Sequence, residues 1–439
     1  MPPLDGTGLG LGHRLAVANF SRSAYQERKQ WTEPVDVVSV LLLLGGEIVS
    51  KALAQLAGGI FTPVTFSFGW VSYAVTMLLA SVGEAKLMPR AAGDQCLIVT
   101  AKSGYTRSNN SWIISRISRD YEGWMHPVTK QKLEAMLDER ANYMRRNPKA
   151  GRVIQRRRQT GLCIAIYEPS QSAIAGEPKH DFIYWSGAAV TLIQLVIAAI
   201  PFATTGEWII FVITVCGTIL TLVTGSLPQW KAEKWACRRN SPNTYIMTQG
   251  NGSQHVVVIL GNGRGLNLED LATDRQKYPS SNRLTRFILA TIAASWISLL
   301  IVAAGVSTNT WYLLGVGITG MLQNILVVGW RRDPSALGVH LDFKQVIGEM
   351  RTMDSLLALE AEIIGLGRCL LPIFFPGELL PEEVLAWDAL KDKAAAEEER
   401  RQRENQDGRR ADHPKEGWVA HARNFESHHA RNAWSKTSP

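Results

Sequence analysis

The sequence predicts a membrane-embedded, all-α helical bundle of six transmembrane helices arranged as three hairpins, with a small cytoplasmic α+β portion built from two long loops. The apolar residues, 46% of the chain, are concentrated in blocks that approach the ~20 residues needed to cross a bilayer. The turns inside the three predicted hairpins contain no Lys or Arg, whereas the segments between them are basic. Because basic residues mark the cytoplasmic side, this alternation predicts that both termini are cytoplasmic.

These blocks divide the chain into successive predicted segments. In order, they are a cytoplasmic N-terminal segment (1–35), transmembrane hairpin 1 (36–88), a cytoplasmic loop (89–181), transmembrane hairpin 2 (182–228), a second cytoplasmic loop (229–286), transmembrane hairpin 3 (287–330), a cytoplasmic amphipathic region (331–390) and a charged tail expected to be disordered (391–439).

Hairpin 1 is predicted to pair a helix from Val37 to about Gly59 with a second from Phe61 to Gly83. Pro63 falls in the first turn of the second helix, where a missing N–H costs least. The first helix alone carries charge within its apolar block, and its uninterrupted apolar run is short. An alternative is therefore that this helix does not span, in which case the N-terminus lies outside.

The charge in the first helix forms a candidate intramembrane polar stripe of Glu47, Lys51 and Gln55. Residues four apart lie on one helical face. Intramembrane charges usually face a bundle interior and mark ion or proton pathways, so a transport site is one interpretation. The other, which we favour, is a structural Glu47–Lys51 pair with the lysine reaching toward the interface.

Three stretches carry a resemblance to a known group: GGEIVSKALAQLAGG and TPVTFSFGWVSYAV in hairpin 1, and VVVILGNGRGLNLEDLA near residue 260. On these stretches the chain resembles a group of uncharacterised multi-pass membrane proteins of filamentous ascomycete fungi, over most of its length up to about residue 390. The resemblance implies the multi-pass topology and carries over no site residue.

Hairpins 2 and 3 have the clearer span signals. Hairpin 2 pairs Phe182–Phe202 with Trp208–Leu227, and hairpin 3 pairs Phe287–Val306 with Trp311–Trp330. Two tryptophans bracket the last helix at a separation of roughly 28 Å, which fits two interfacial aromatic belts.

The polar segments show signs of a small folded portion. Strands are predicted at QCLIVTA and GLCIAIYEP, and TYIMTQ and HVVVIL predict a hairpin around Gly250–Asn251–Gly252. Residues 130–146 predict a helix, 112–122 fit a strand or a helix, and 341–366 predict an amphipathic helix. Neither long loop has enough strands for a core of its own, so we expect the two to combine.

A glycine-rich turn follows the strand HVVVIL, with the spacing G-x-G-x-G over residues 261–265. Such turns can hold phosphate on backbone N–H groups, but this spacing matches neither the dinucleotide fingerprint nor the P-loop. We favour a plain turn in which Asn267 caps a short helix whose first turn holds Glu269 and Asp270.

The charge distribution and the cysteine spacing indicate which partners the chain can bind. The net charge of +8 is concentrated between the apolar blocks, which favours the lipid bilayer over nucleic acid as the basic partner. The cluster Arg156, Arg157 and Arg158 is either an anionic-lipid contact or a solvated loop. Five cysteines without CxxC spacing predict free thiols. We expect no catalytic, cofactor or metal site.

Three functions remain as hypotheses. The leading one is a non-enzymatic scaffold, regulatory or accessory protein presenting a cytoplasmic domain, in the plasma membrane or an endomembrane. The second is a transporter or channel using the Glu47/Lys51 stripe. The third is an enzyme acting on a lipid or nucleotide through the cytoplasmic domain.

Overall fold

A computed structural model describes residues 35–82, 86–91, 96–146, 160–274, 283–393 and 395–396. Three predictions lie outside these residues: the N-terminal segment up to residue 34, the Arg156–Arg158 cluster, and the charged tail from residue 397. The chain divides into two compact units, Met1–Ser355 and Leu356–Pro439. The first holds the helical bundle and the sheet.

The secondary structure alternates between long apolar helices and short mixed elements. The helices are α1 (Val35–Leu56), α2 (Gly69–Val82), α3 (Trp112–Arg119), α4 (Tyr121–Trp124), α5 (Pro127–Arg146), α6 (Phe182–Thr205), α7 (Ile209–Gly225), α8 (Pro228–Lys234), α9 (Leu268–Thr273), α10 (Arg283–Ala304), α11 (Thr310–Gly329), α12 (Thr352–Glu362) and α13 (Leu366–Phe374). The strands are β1 (Leu97–Thr100), β2 (Tyr105–Ser108), β3 (Cys163–Pro169), β4 (Tyr245–Thr248), β5 (His255–Ile259) and β6 (Leu341–Gly348).

Three helices of the described chain, α6, α10 and α11, are long and apolar enough to cross a membrane. The helices α7 and α8 together would make a fourth, bent by 43°. This supports a membrane protein but not the predicted six spans, because α2 has only 14 residues. At 1.5 Å per residue, α2 would cover only about 21 Å.

Hairpin 1 is the main error of the sequence-based prediction. The second helix does not begin at Phe61; residues 61–67 have no regular secondary structure, and α2 starts only at Gly69. The segment TPVTFSF consists of proline, β-branched, hydroxyl and aromatic residues, which have weak helix propensity. Pro63 lies in a tight turn, in which the Val64 N–H donates to Thr62 O (2.9 Å), and not in a first helical turn.

The turns of the two later hairpins lie together at one end of the bundle. Asn309, before α11, donates from Nδ2 to Glu207 Oε2 (2.7 Å) and Thr205 Oγ1 (3.3 Å), both after or at the end of α6. The end of α1 lies at the opposite end, because Gln55 Nε2 donates to Val327 O (3.3 Å) near the end of α11. The Ala57–Ile60 turn is thus at the far end from the other two hairpin turns, contrary to the prediction.

The strands form one six-stranded mixed sheet in the order β2-β1-β4-β5-β3-β6, in which only β3 and β5 run parallel. The predicted strands and the β4–β5 hairpin are confirmed, as is the helix at 130–146, which belongs to α5. Residues 112–119 are helical. The two polar segments do combine, and a strand from a third segment completes the sheet.

That additional strand corrects another prediction. Residues 341–348, expected to start an amphipathic helix, form the edge strand β6 paired antiparallel with β3. The run Val346–Ile347 is β-branched, and pairing with the buried strand β3 outweighs a weak helical periodicity. The helical part begins only at Thr352.

The second unit, Leu356–Pro439, contains the short apolar helix α13 and a helical stretch at 381–393. Arg368 joins parts of this unit, with an ion pair to Glu360 (3.4 Å) and a hydrogen bond to Trp387 O (3.1 Å). α13 has nine residues and contains Pro372. It is thus too short to cross a bilayer, as expected.

Candidate membrane-embedded site

A segment without helix or strand, residues 61–68, enters the helical bundle and is buried almost completely from Thr62 onward; we call it the extended segment. The polar side chains Thr62, Thr65 and Ser67 have no exposed surface. Its inner end reaches the middle of the neighbouring helices: Phe66 contacts Gly217 of α7, and Phe68 contacts Gly317 of α11. Irregular backbone at such depth is tolerated in a membrane protein only where protein or a cavity surrounds it.

After this entry the chain turns back as the half-length helix α2. Tyr73 of α2 stacks on Trp230 of α8, with ring centroids 6.4 Å apart. Arg286, in the first turn of α10, donates to Val82 O at the end of α2 (3.2 Å). The segment therefore enters and leaves at the same end of the bundle. We call residues 57–82 the re-entrant hairpin.

Glycines on the surrounding helices make room for the re-entrant hairpin. A Cβ atom at Gly320 of α11 would lie 1.8 Å from Phe66 O, and one at Gly187 of α6 would lie 1.9 Å from Pro63 O. Both distances are below any real van der Waals contact. Any larger residue at either position would displace the extended backbone.

Two amide side chains satisfy the backbone at the inner end. Asn324 of α11 donates to Thr65 O (3.3 Å) and accepts from Thr65 Oγ1 (3.0 Å). Gln194 lies midway along α6, and its Nε2 donates to Phe66 O (2.7 Å) and Val316 O (2.8 Å). These two amides satisfy buried backbone carbonyls of the extended segment, as ladder hydrogen bonds satisfy the carbonyls of a strand in a sheet.

Two further side chains donate hydrogen bonds to carbonyl oxygens of the segment. Trp70 Nε1 donates to Thr65 O (2.9 Å), and Tyr184 Oη donates to Phe61 O (2.6 Å). Thr62 Oγ1 donates outward to Gly225 O at the end of α7 (2.9 Å). Across residues 61–68 of the described chain, the only N–H seen to donate is that of Val64, to Thr62 O.

Gln194 retains one unused polar atom. Both partners of Nε2 are carbonyl oxygens, which only accept, so they fix which end of the amide faces them. Within the described part of the chain no donor reaches Gln194 Oε1, and the whole side chain is buried. A buried acceptor without a donor costs roughly 1–3 kcal/mol, so this oxygen is a candidate ligand-binding atom.

Two buried basic side chains lie where α1 ends and the re-entrant hairpin begins, and burial lowers the pKa of one of them, Lys234, well below its ordinary value. Lys234 Nζ donates to Ala57 O (2.7 Å), and Arg332 Nη1 donates to Gln55 O (2.6 Å). Cations at a helix C-terminus are favourable because the carbonyls there carry partial negative charge. Arg332 also forms a bidentate pair with Asp181 (2.6 and 2.8 Å), whereas no carboxylate of the described residues pairs with Lys234.

Asp181, which precedes α6, is charged because of this pairing. Partial burial raises the pKa of its carboxyl, but the hydrogen bond and charge of Arg332 and the Tyr184 N–H outweigh burial and hold the pKa below its ordinary value. The carboxylate also caps α6 through the Tyr184 N–H (2.9 Å). The Arg332 side chain is only 2% exposed, so the pair fixes this end of the bundle.

The three residues of the predicted polar stripe, Glu47, Lys51 and Gln55, do not share one environment in the structure. Glu47 and Lys51 form an ion pair (2.6 Å), but the Glu47 side chain is 76% exposed and does not face the bundle interior. Gln55 alone is buried there. The favoured interpretation of a structural pair agrees with this geometry, and Glu47 is not in position to form an interior site.

The sequence contained a signal for this candidate site. Thr62, Thr65 and Ser67 are interspersed with apolar residues in a block that is polar and β-branched for a lipid-facing helix. Gln194 and Asn324 were visible as isolated polar residues in apolar helices, but sequence alone does not show that both reach the same segment.

The glycine-rich turn behaves as the favoured alternative predicted. Asn267 Oδ1 accepts from the Asp270 N–H (3.0 Å) and caps the six-residue α9. Arg238 binds Asp270 through two bonds (2.7 and 3.1 Å), and its hydrogen bonding holds the pKa of that carboxyl below its usual value. A charged carboxylate in the first turn of α9 disfavours phosphate there.

Neither clustered metal ligands nor similarity to known proteins assigns a function to this site. Among the described residues no three His, Cys, Asp or Glu side chains are grouped to hold a metal ion. Comparison of the chain with protein-family models, curated proteins and solved structures finds no match.

Proposed function

We propose that this protein is an integral membrane protein that crosses the bilayer five times, through α1, α6, α7, α10 and α11, with the re-entrant hairpin replacing a sixth span. Exposed aromatic side chains at the span ends support this arrangement, since such residues favour the membrane interface. Trp185, Trp208, Trp311 and Trp330 are each at least half exposed. The resemblance to fungal multi-pass proteins agrees with it and remains a prediction.

The proposed orientation places the sheet in the cytoplasm. Lys86, Lys179, Arg286 and Arg331 flank the bundle at the sheet end, and basic residues mark the cytoplasmic side. Since α1 ends at that same end, its Val35 end faces the opposite side of the membrane. Both termini in the cytoplasm, as first expected, would require an even number of crossings.

We further propose that the protein moves a small solute across the membrane, by way of the re-entrant hairpin and not of Glu47. The observation that carries this function is the extended segment at mid-bundle. In transport proteins, broken helices and re-entrant backbone at this depth hold the substrate site. The extended segment here is bound by neutral side chains that can exchange partners.

A second candidate is the scaffold or regulatory protein, with no transport. It is favoured by the packing, because the extended segment fills the bundle axis and its carbonyls are bonded. In this alternative the hairpin is a structural wedge that fixes the sheet on the bundle.

Flux measurements on the full-length protein distinguish the two candidates. We would reconstitute it in phosphatidylcholine–phosphatidylglycerol vesicles and follow potassium, chloride, protons, water, urea and glycerol. Flux above that of protein-free vesicles, reduced by Asn324→Leu but not by Glu47→Gln, supports transport. If no solute moves through a correctly folded protein, transport is refuted and the scaffold stands.

A further inference from the structure

The chemistry around the re-entrant hairpin restricts what can pass. The buried polar side chains of the extended segment and of the two amides that bind it are Thr62, Thr65, Ser67, Gln194 and Asn324, and all five are uncharged. They offer both donors and acceptors. Glu47 and Lys51, the charges of α1, pair with each other away from this cluster.

Two features oppose cations. Lys234 and Arg332 lie buried where α1 ends and occupy the carbonyls of Ala57 and Gln55, so these oxygens are not available to a cation. Burial lowers the pKa of the Lys234 amine well below its ordinary value, and Asp181 balances the charge of Arg332. The N-terminus of α2, which carries partial positive charge, points into the middle of the bundle at Gly69. Half-helix dipoles of this kind exclude protons and metal cations from a pathway.

Gln194 supplies an independent sign of a ligand. Its Oε1 is buried without a donor, and in the segment that its Nε2 binds at Phe66 O the N–H groups of Phe66, Ser67 and Phe68 donate no bond within the described residues. A free acceptor beside free donors matches a molecule that both donates and accepts. A bare ion would satisfy only one of the two.

We infer that the solute is a small, uncharged, hydrogen-bonding molecule of the size of water, urea or glycerol, and that Gln194 Oε1 accepts a hydrogen bond from it. This inference rests on the proposed transport function. In this structure the extended segment fills the axis, so passage requires it to shift. Gly58 lies where the re-entrant hairpin begins and has a φ of +127°, a backbone conformation that glycine adopts readily.

The test uses the vesicles described above and compares solute classes. The wild-type protein is expected to raise water, urea or glycerol flux while potassium, chloride and proton flux stay at the protein-free level. Gln194→Met keeps the volume but removes the amide. The change removes the bond of Oε1 to the solute together with the two Nε2 bonds to Phe66 O and Val316 O, so the neutral flux should fall at least about tenfold.

Thr191→Val is the matched control. Thr191 lies on the same helix, one turn away, and its hydroxyl bonds only Gly187 O of its own helix (2.9 Å). This variant should retain wild-type flux. Thermal melting and gel filtration would establish that both variants fold, and wild-type selectivity decides the solute class if Gln194→Met fails to assemble.

The possible outcomes distinguish failure of the inference from failure of the proposed transport function. Ion flux without neutral flux overturns the inference and leaves transport standing. Neutral flux that Gln194→Met does not change overturns the role of Gln194. Absence of flux for every solute removes the transport function and the inference with it.

Discussion

At the scale of single residues, the end of α1 depends on buried charge. Arg332 contacts both the last turn of α1, through Gln55 O, and the carboxylate before α6, through Asp181. It therefore ties together two helices that are far apart in sequence. Removing one partner of such a contact leaves the other desolvated and unpaired, which costs more than the contact itself contributes.

Replacing Arg332 with leucine should destabilise the protein by about 1–3 kcal/mol, because Asp181 and Gln55 O both lose their donor. Urea or thermal unfolding in detergent measures the change. The neighbouring exposed Arg331→Leu is the control and should shift stability by less than about 0.5 kcal/mol. The double variant Arg332→Leu/Asp181→Leu should lose less than the sum of the single changes; strict additivity would contradict the coupling.

Lowering the pH should weaken the same Arg332–Asp181 pair. Because the folded-state pKa of Asp181 is depressed, its stabilising effect is present above the unfolded pKa and is lost as pH falls through the folded pKa. The gap in melting temperature between wild type and Asp181→Asn should therefore be widest near neutral pH and close as the pH is lowered below about 4. A gap that stays constant to the lowest pH at which the protein folds would contradict this.

At the scale of elements, the sequence predicted most of the architecture where the patterns are simple. Four of the six strands, β1, β3, β4 and β5, lie at the predicted apolar patterns, and α6, α7, α10 and α11 coincide with apolar blocks bounded by charge. Hairpin 1 and β6 were mispredicted because tertiary contacts override local pattern. The extended backbone at 61–68 is held by Gln194 and Asn324, which are 128 and 259 residues away in the chain.

Single-cysteine labelling from outside intact cells tests the element that was mispredicted. Ile60 is 97% exposed at the start of the extended segment, while Thr204 and Ser307 are exposed at the two later hairpin turns. In a background without the native cysteines, an impermeant maleimide should label Thr204→Cys and Ser307→Cys but not Ile60→Cys. Permeabilisation should expose Ile60→Cys. Labelling of Ile60→Cys in intact cells would restore the six-span arrangement.

At the scale of the whole molecule, the bundle and the sheet are joined around the re-entrant hairpin. Lys86, after α2, binds both the carbonyl and the carboxylate of Asp274 (2.7 and 2.8 Å). At the other end of the hairpin, the Trp235 ring lies against Gly58, and its Nε1 donates to Leu337 O (3.0 Å). Movement of the hairpin must therefore be accommodated at both of its attachments.

Fixing the hairpin should stop flux. A Cβ at Gly225 would lie 2.8 Å from Thr62 Cβ, so a Thr62→Cys/Gly225→Cys pair needs only about 1 Å of relaxation to reach disulfide geometry. Oxidation of this pair should lower neutral-solute flux to the level of protein-free vesicles, and a reductant should restore it. The single variant Thr62→Cys is the control. Unchanged flux in the fully cross-linked protein would mean that the hairpin does not move during transport.

The long sequence separation of the Thr65–Asn324 contact has a consequence during synthesis of the protein. The two residues are separated by 259 positions, and at roughly 5–20 residues per second the ribosome takes roughly 10–50 s between them. Until α11 emerges, the extended segment lacks the amide that completes it and has no stable place in the lipid. A chain that stops before α11 therefore lacks the Asn324 amide that bonds Thr65 in the complete protein.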